Sequence, residues 1–236
     1  MIHVLDLHFK GAAWALAETG AKVYVHPFGY KHLLDPSKLY NSAKRIYGDE
    51  METLWGDMKS IPEDQLFAVE DKTEIKVGDL TFKAWHTPGH ASHHIAWQIG
   101  ETVFTGDVAG CRVNLGPVVP PCPPPDIDIE AWETSIQKIR ALNPESLYLT
   151  HFSKVTDVDS HFSELSERLQ NWAEWMKPHF EAGTHPNEIT PLFQEFAAKE
   201  LRDAGVSEQE IPMYEAANPA WMSVAGLLRY WKKRTS

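Results

Sequence analysis

Three short stretches decide what this chain can become: His86-Thr87-Pro88-Gly89-His90, Phe104-Thr105-Gly106-Asp107 and Leu149-Thr150-His151. Each follows a run of strand-forming residues and closes on a side chain able to bind a metal. Scattered from residue 86 to residue 151, they cannot meet through local structure, so they predict a site assembled from strand ends. Neutral imidazole and carboxylate are ligands that zinc, iron and manganese accept. In the first stretch, proline and glycine build a sharp turn that fixes the direction of His90.

The flanking patterns agree with such a layout. Residues 1–9 alternate in polarity as a strand, Ala12–Glu18 is a run of helix formers closed by Gly20, and Lys22–His26 reads as a strand. Asp35-Pro36 opens a helix expected over Ser37–Tyr47 and stopped at Gly48. Thr73–Val77 and Leu80–Trp85 flank Gly78-Asp79 as one hairpin. His94–Ile99 and Thr102–Thr105 flank Gly100-Glu101 as another. Residues 116–125 hold six prolines and predict an extended wall with no regular element. Asp128 caps a helix carrying Ile129, Trp132, Ile136, Ile139 and Leu142, and Leu147–Leu149 follows as a short buried strand. This alternation favours α/β layering.

Beyond residue 156 the pattern is helical. One helix runs through Phe162, Leu165, Leu169, Trp172 and Met176, and a second opens at Pro191. A capping box stands at Ser207–Glu210. A last helix starts at Asn218-Pro219, carries Trp221, Val224, Leu228 and Trp231, and ends in a solvated Lys232-Lys233-Arg234 that suits the macrodipole. The expected units are a domain over 1–156 and a helical extension over 157–236.

Bulk properties remove several function classes. At 236 residues the chain can bury a full core. A net charge of −11 argues against a nucleic-acid coat, which needs a basic surface. No apolar run reaches the ~18–20 residues of a membrane span. Two cysteines, Cys111 and Cys122, are too few for a disulfide framework, so a reduced, cytoplasmic setting is expected and neither is read as a nucleophile.

Together, H-T-P-G-H, F-T-G-D and T-H-F resemble the last three metal motifs of the metallo-β-lactamase-fold hydrolases, the superfamily that includes glyoxalase II. The resemblance spans roughly residues 3–155, and the helical tail resembles a C-terminal extension of some members. It implies an αββα sandwich holding two divalent metal ions, zinc foremost, with iron or manganese as alternatives. His90 would bind the first metal, Asp107 would bridge both and His151 would bind the second; His86 matches an outer histidine that is not usually a ligand. The family's first motif, H-x-H-x-D-H, belongs just before Gly11. Here His3, Asp6 and His8 stand there in altered register, without the middle histidine, and complete the implied ligand set. Asp6 and Asp107 are the implied catalytic carboxylates.

That first motif normally follows further strands and a helix. The sandwich is therefore expected to be incomplete, with the chain N-terminally truncated or associating as a homo-oligomer to cover apolar surface. The implied activity is hydrolysis, with hydroxide generated on the metals attacking an ester, thioester or lactone-like bond of a small molecule. Two other readings share these residues: a catalytically impaired fragment kept as a binding module, and an iron-dependent redox member of the same fold.

Overall fold

The computed structural model describes residues 20–47, 59–151 and 153–235. The strand expected over residues 1–9, the helix over Ala12–Glu18 and the candidate ligands His3, Asp6 and His8 lie outside the described residues.

The first described strand, β1 (Val23–Val25), pairs in parallel with β2 (Leu66–Ala68). Between them lie α1 (Pro27–Leu34) and α2 (Ser37–Tyr47). The pattern signalled α2 but not α1. Its start rests on an uncommon cap, the Nδ1 of His26 accepting the Phe28 N–H at 3.3 Å, with Pro27 in the first turn where no N–H is needed.

The main sheet runs in the order β3 (Glu74–Val77), β4 (Leu80–His86), β5 (Ile95–Ile99), β6 (Thr102–Arg112), β8 (Ser146–His151), β9 (Lys154–Val155). β3 to β6 are antiparallel, as two-residue turns at Gly78-Asp79 and Gly100-Glu101 require. β6 and β8 are parallel and are joined through α3 (Ile129–Arg140), whose first turn is capped by Asp128 Oδ1 accepting the Ala131 N–H at 2.9 Å.

Two expectations for this sheet change. β6 does not stop at Thr105 but continues to Arg112, because a bulge at Gly106 (φ 58°) bends the strand without ending it. Within the proline-rich wall, Val118–Val119 forms a short strand, β7, against Cys111 and Arg112. The end of β8 is also less buried than its composition suggests: Tyr148 is 41% exposed and stacks on Phe104 across the ladder.

One face of the sheet meets α3 and α4 (Val158–Glu181), through Val103 and Leu147 against Trp132, Ile136, Phe162, Leu165 and Leu169. The other face carries Ala84, Ile95 and Trp97, with Tyr24 of β1 packed against them. The tail continues with α5 (Pro186–Asp203), α6 (Ile211–Ala217) and α7 (Ala220–Arg234), and shares the buried cluster of the sheet. Helix α5 opens five residues before Pro191, because His185 caps it and Pro186 fills its first turn; Pro191 sits inside. Ser207 and Glu210 pair as expected, with the Ser207 hydroxyl 2.8 Å from the carboxylate.

Helix α7 buries a different face from the one its tryptophans suggest. Met222, Val224, Leu227 and Tyr230 face inward with Ser223 and Gly226, while Trp221, Leu228 and Trp231 are only partly buried. The reason is the wall, which α7 approaches through its small residues. A Cβ on Gly226 would strike the Cys122 carbonyl. The basic end of α7 is engaged as well: Lys233 Nζ donates to the Pro125 carbonyl at 2.8 Å and Arg234 pairs with Glu130. Among the described residues no helix is long and apolar enough to cross a membrane.

Gly226→Ala should therefore force α7 off the wall. Overpacking of this kind costs ~1–3 kcal/mol, read as a lowered urea midpoint at unchanged slope. A variant as stable as the parent would show that the close approach carries no stability.

Candidate metal centre

The three late ligand candidates converge. His90 ends the turn after β4, Asp107 lies in the bulged stretch of β6, and His151 ends β8. His90 Nε2 stands 3.6 Å from Asp107 Oδ2, and His151 Nε2 stands 3.1 Å from Asp107 Oδ1. One carboxylate thus turns each of its oxygens to a different imidazole. Asp107 is 1% exposed and His90 4%, with His151 only partly covered.

The surrounding groups fix the state of these side chains. Nδ1 of His90 lies 2.8 Å from the Pro121 carbonyl, which can only accept, so Nδ1 carries the proton and Nε2 presents its lone pair. Burial holds the pKa of His90 below the usual imidazole value, against the pull of Asp107. Burial tends to raise the Asp107 pKa, but the His151 interaction and the fields of His90 and His151 outweigh it and hold the carboxyl well below the usual range. Interaction with Asp107 raises the pKa of His151 in spite of its partial burial.

Neutral His90 and ionised Asp107 therefore face each other with two acceptors in a place shut off from water. That contact is repulsive unless a cation lies between them. Two ligands each ~2.1 Å from a tetrahedral ion lie ~3.4 Å apart, close to both observed separations. Donor types, the tautomer of His90 and these spacings fit two ion positions that share Asp107. Among the described residues no group of three or more His, Cys, Asp or Glu side chains encloses a single ion. Each position is therefore a pair of ligands, and His3, Asp6 and His8 stand outside the described residues.

Neighbouring histidines and cysteines take other parts. His86 points Nε2 at the Ser92 carbonyl at 3.0 Å and stacks on His26, ring centroids 4.1 Å apart. Its peptide is clamped by Asp71, which accepts its N–H at 2.8 Å, and by Lys138, which donates to its carbonyl at 2.7 Å. His94 is buried with Nδ1 2.8 Å from Thr87 Oγ1, and burial with the His90 field pushes it down to about 3. Burial, with the charge of Asp107, pushes the Cys111 thiol up to about 12, and burial raises Cys122 further; neither offers a thiolate near neutral pH. Asp71, Lys138 and the Pro121 carbonyl were not singled out in the sequence, where no local signal ties them to the site.

Comparison with known proteins places these features in a group. A sequence model described as the Metallo-beta-lactamase superfamily matches residues 8–151. The metallo-beta-lactamase fold-containing protein ST1585 of Sulfurisphaera tokodaii is 31% identical over 150 residues, 61% of this chain and 57% of that protein. A beta-lactamase-like protein 2 homolog of Caenorhabditis elegans is 30% identical over 48% of this chain and 37% of its own length. The chain thus spans little more than half of the first relative and less of the second. The crystal structure of ST1585 superposes with a TM-score of 0.58 at 29% identity, covering 68% of this chain and 61% of that one. A metallo-beta-lactamase family protein of Thermus thermophilus, TTHA1429, superposes with a TM-score of 0.59 over 91% of this chain and 67% of its own; at 17% identity the likeness is one of fold.

Purified protein should bind zinc, and His90→Ala, Asp107→Ala and His151→Ala should each weaken binding when titrated against a chelator. His151 holds its proton more tightly than an ordinary imidazole, and a metal must displace that proton. Zinc affinity should therefore fall about tenfold per pH unit below the His151 pKa, which lies above 6.5, and level off above it. Affinity that does not change between pH 6 and pH 8 would remove His151 from the ligand set.

Proposed function

We propose that this chain, which belongs to the metallo-beta-lactamase superfamily, is a metal-dependent hydrolase of a small ester, thioester or lactone, in a glyoxalase II-like branch with a helical extension. The observation that carries the reading is the buried Asp107 carboxylate with one oxygen toward His90 and the other toward His151. Asp107 would be shared by two divalent ions, zinc foremost, with His90 on one and His151 on the other. His3, Asp6 and His8 are the candidates for the remaining ligands. When bound, such ions supply Lewis acidity and lower the pKa of water to near neutrality.

The side chains of this chain do the rest. Asp107 remains ionised near neutral pH and would offer one carboxylate oxygen to each ion, offsetting part of their positive charge. His90 stays neutral with its Nδ1 proton held on the Pro121 carbonyl, so its lone pair cannot swing away. His151 keeps a small part of its ring exposed while its Nε2 faces Asp107. The two buried thiols offer no thiolate to act as nucleophile, in keeping with attack by water.

The test is a panel of simple esters, thioesters and lactones assayed with zinc-loaded and chelator-stripped protein. Turnover of at least one class should depend on metal, and Asp107→Asn should lower kcat/KM by about 100-fold or more, the size of loss seen when an electrostatic stabiliser is removed. Tight zinc binding with no turnover on any of the three classes would favour a binding module instead.

A further inference from the structure

Trp132 lies outside every candidate ligand stretch, yet it meets one of them and the residue that directly follows another. It is fully buried on α3. Its indole Nε1–H donates at 2.7 Å to the carbonyl of Val108, the residue after Asp107. Its ring stands edge-on to the His90 imidazole, with centroids 5.5 Å apart and planes at 88°. Gly89, at φ 138°, rests directly on the Trp132 backbone, so that a Cβ there would collide with Trp132 Cα and Cβ. One turn earlier on the same helix end, the Asp128 N–H donates to the Gly89 carbonyl at 2.9 Å.

These contacts fall where the sheet gives least support. The β6–β8 ladder is regular up to Phe104, shifts at Gly106, and shifts again before Cys111. Asp107 and Val108 sit inside that irregular stretch, and their direction depends on what grips them from the side. His161 holds the next carbonyl, that of Ala109, at 2.8 Å. Of the two, Trp132 also meets the turn that carries His90.

We propose that Trp132 is a positioning residue for the metal centre, setting the separation between the Asp107 carboxylate and the His90 imidazole by gripping Val108 and Gly89 at once. This rests on the reading of Asp107 and His90 as ligands. Metal bonds tolerate only a few tenths of an ångström, and a 3.6 Å gap between the two donors must be held to that precision. A flat indole rooted in a packed helix has few ways to yield, and its N–H fixes the peptide chain on the Asp107 side. Phenylalanine would fill much of the same space and leave the Val108 carbonyl buried without its donor.

The experiment measures zinc affinity by chelator competition, together with the visible spectrum of the cobalt-substituted protein, for wild type, Trp132→Phe and Trp172→Phe. Trp172 is the control: its indole N–H is also hydrogen-bonded, to Glu200 at 2.7 Å, but within the helical tail. Trp132→Phe should bind zinc 10- to 100-fold more weakly, the usual effect of removing a group that orients a ligand, with shifted cobalt bands. Trp172→Phe should lower the thermal midpoint and leave affinity and spectrum unchanged. If Trp132→Phe does not fold, incorporation of 3-benzothienylalanine at position 132, which keeps the shape and lacks only the N–H, decides the matter. Wild-type affinity and spectrum in the folded variant or the analogue overturn the proposal alone. Wild-type protein that binds no zinc overturns the hydrolase reading beneath it.

Discussion

A carboxylate withdrawn almost wholly from water, with the lone pair of a neutral imidazole turned toward one of its oxygens, is a costly arrangement for a protein to keep. Asp107 and His90 hold it because the groups around them leave no alternative. The Pro121 carbonyl accepts a hydrogen bond from the Nδ1–H of His90 and so decides which nitrogen presents its lone pair inward. The bulge at Gly106 turns Asp107 out of the regular ladder, and Trp132 and His161 grip the two carbonyls that follow. Each of these bonds alone is worth about 1 kcal/mol net. Their joint effect is to keep two mutually repelling acceptors at a separation that a small cation would bridge.

The supporting structure follows from that requirement. The turn after β4 is held at its peptide groups: Asp71 and Lys138 on His86, the Ser135 hydroxyl on the Pro88 carbonyl, Asp128 on Gly89. Three of these four come from α3 or its cap. The helix that covers the sheet core is thus also the frame of the ligand turn, and apolar burial by Ile136 and Ile139 is coupled to ligand geometry through Trp132 and Ser135.

Much of this was legible in the residue pattern. The succession of strands along the chain, the hairpins at Gly78 and Gly100, the cap at Asp128 and a site assembled from the strand ends at His90, Asp107 and His151 follow from alternation, turn chemistry and motif spacing. What escaped is non-local. The continuation of β6 depends on a glycine that bends the strand beyond Thr105, where its residue pattern stops. The inward face of α7 depends on a wall it meets only in space, so Gly226 and Ser223 count for more than Trp221. Helix α1 starts on a histidine cap, a weak signal, and the opening of α5 at Pro186 was masked by a second proline five residues on. The altered motif at His3–His8 lies outside the described residues.

The proline-rich wall touches the centre on one side, through Pro121, and the helical tail on the other. Prolines have no N–H, so this stretch offers the tail little besides carbonyl oxygens. The tail accordingly supplies the donors: Tyr214 to Pro117, Asn218 to Pro120, Arg229 and Lys233 to Pro125. Recognition of this kind reads the path of the main chain. Val118, Val119 and Cys122 are themselves buried in the core, so residues 117–122 are held twice, by their side chains in the apolar interior and by their carbonyls on the donors of the tail. The strip works as a splint that ties the path beside the centre to the position of α6 and α7.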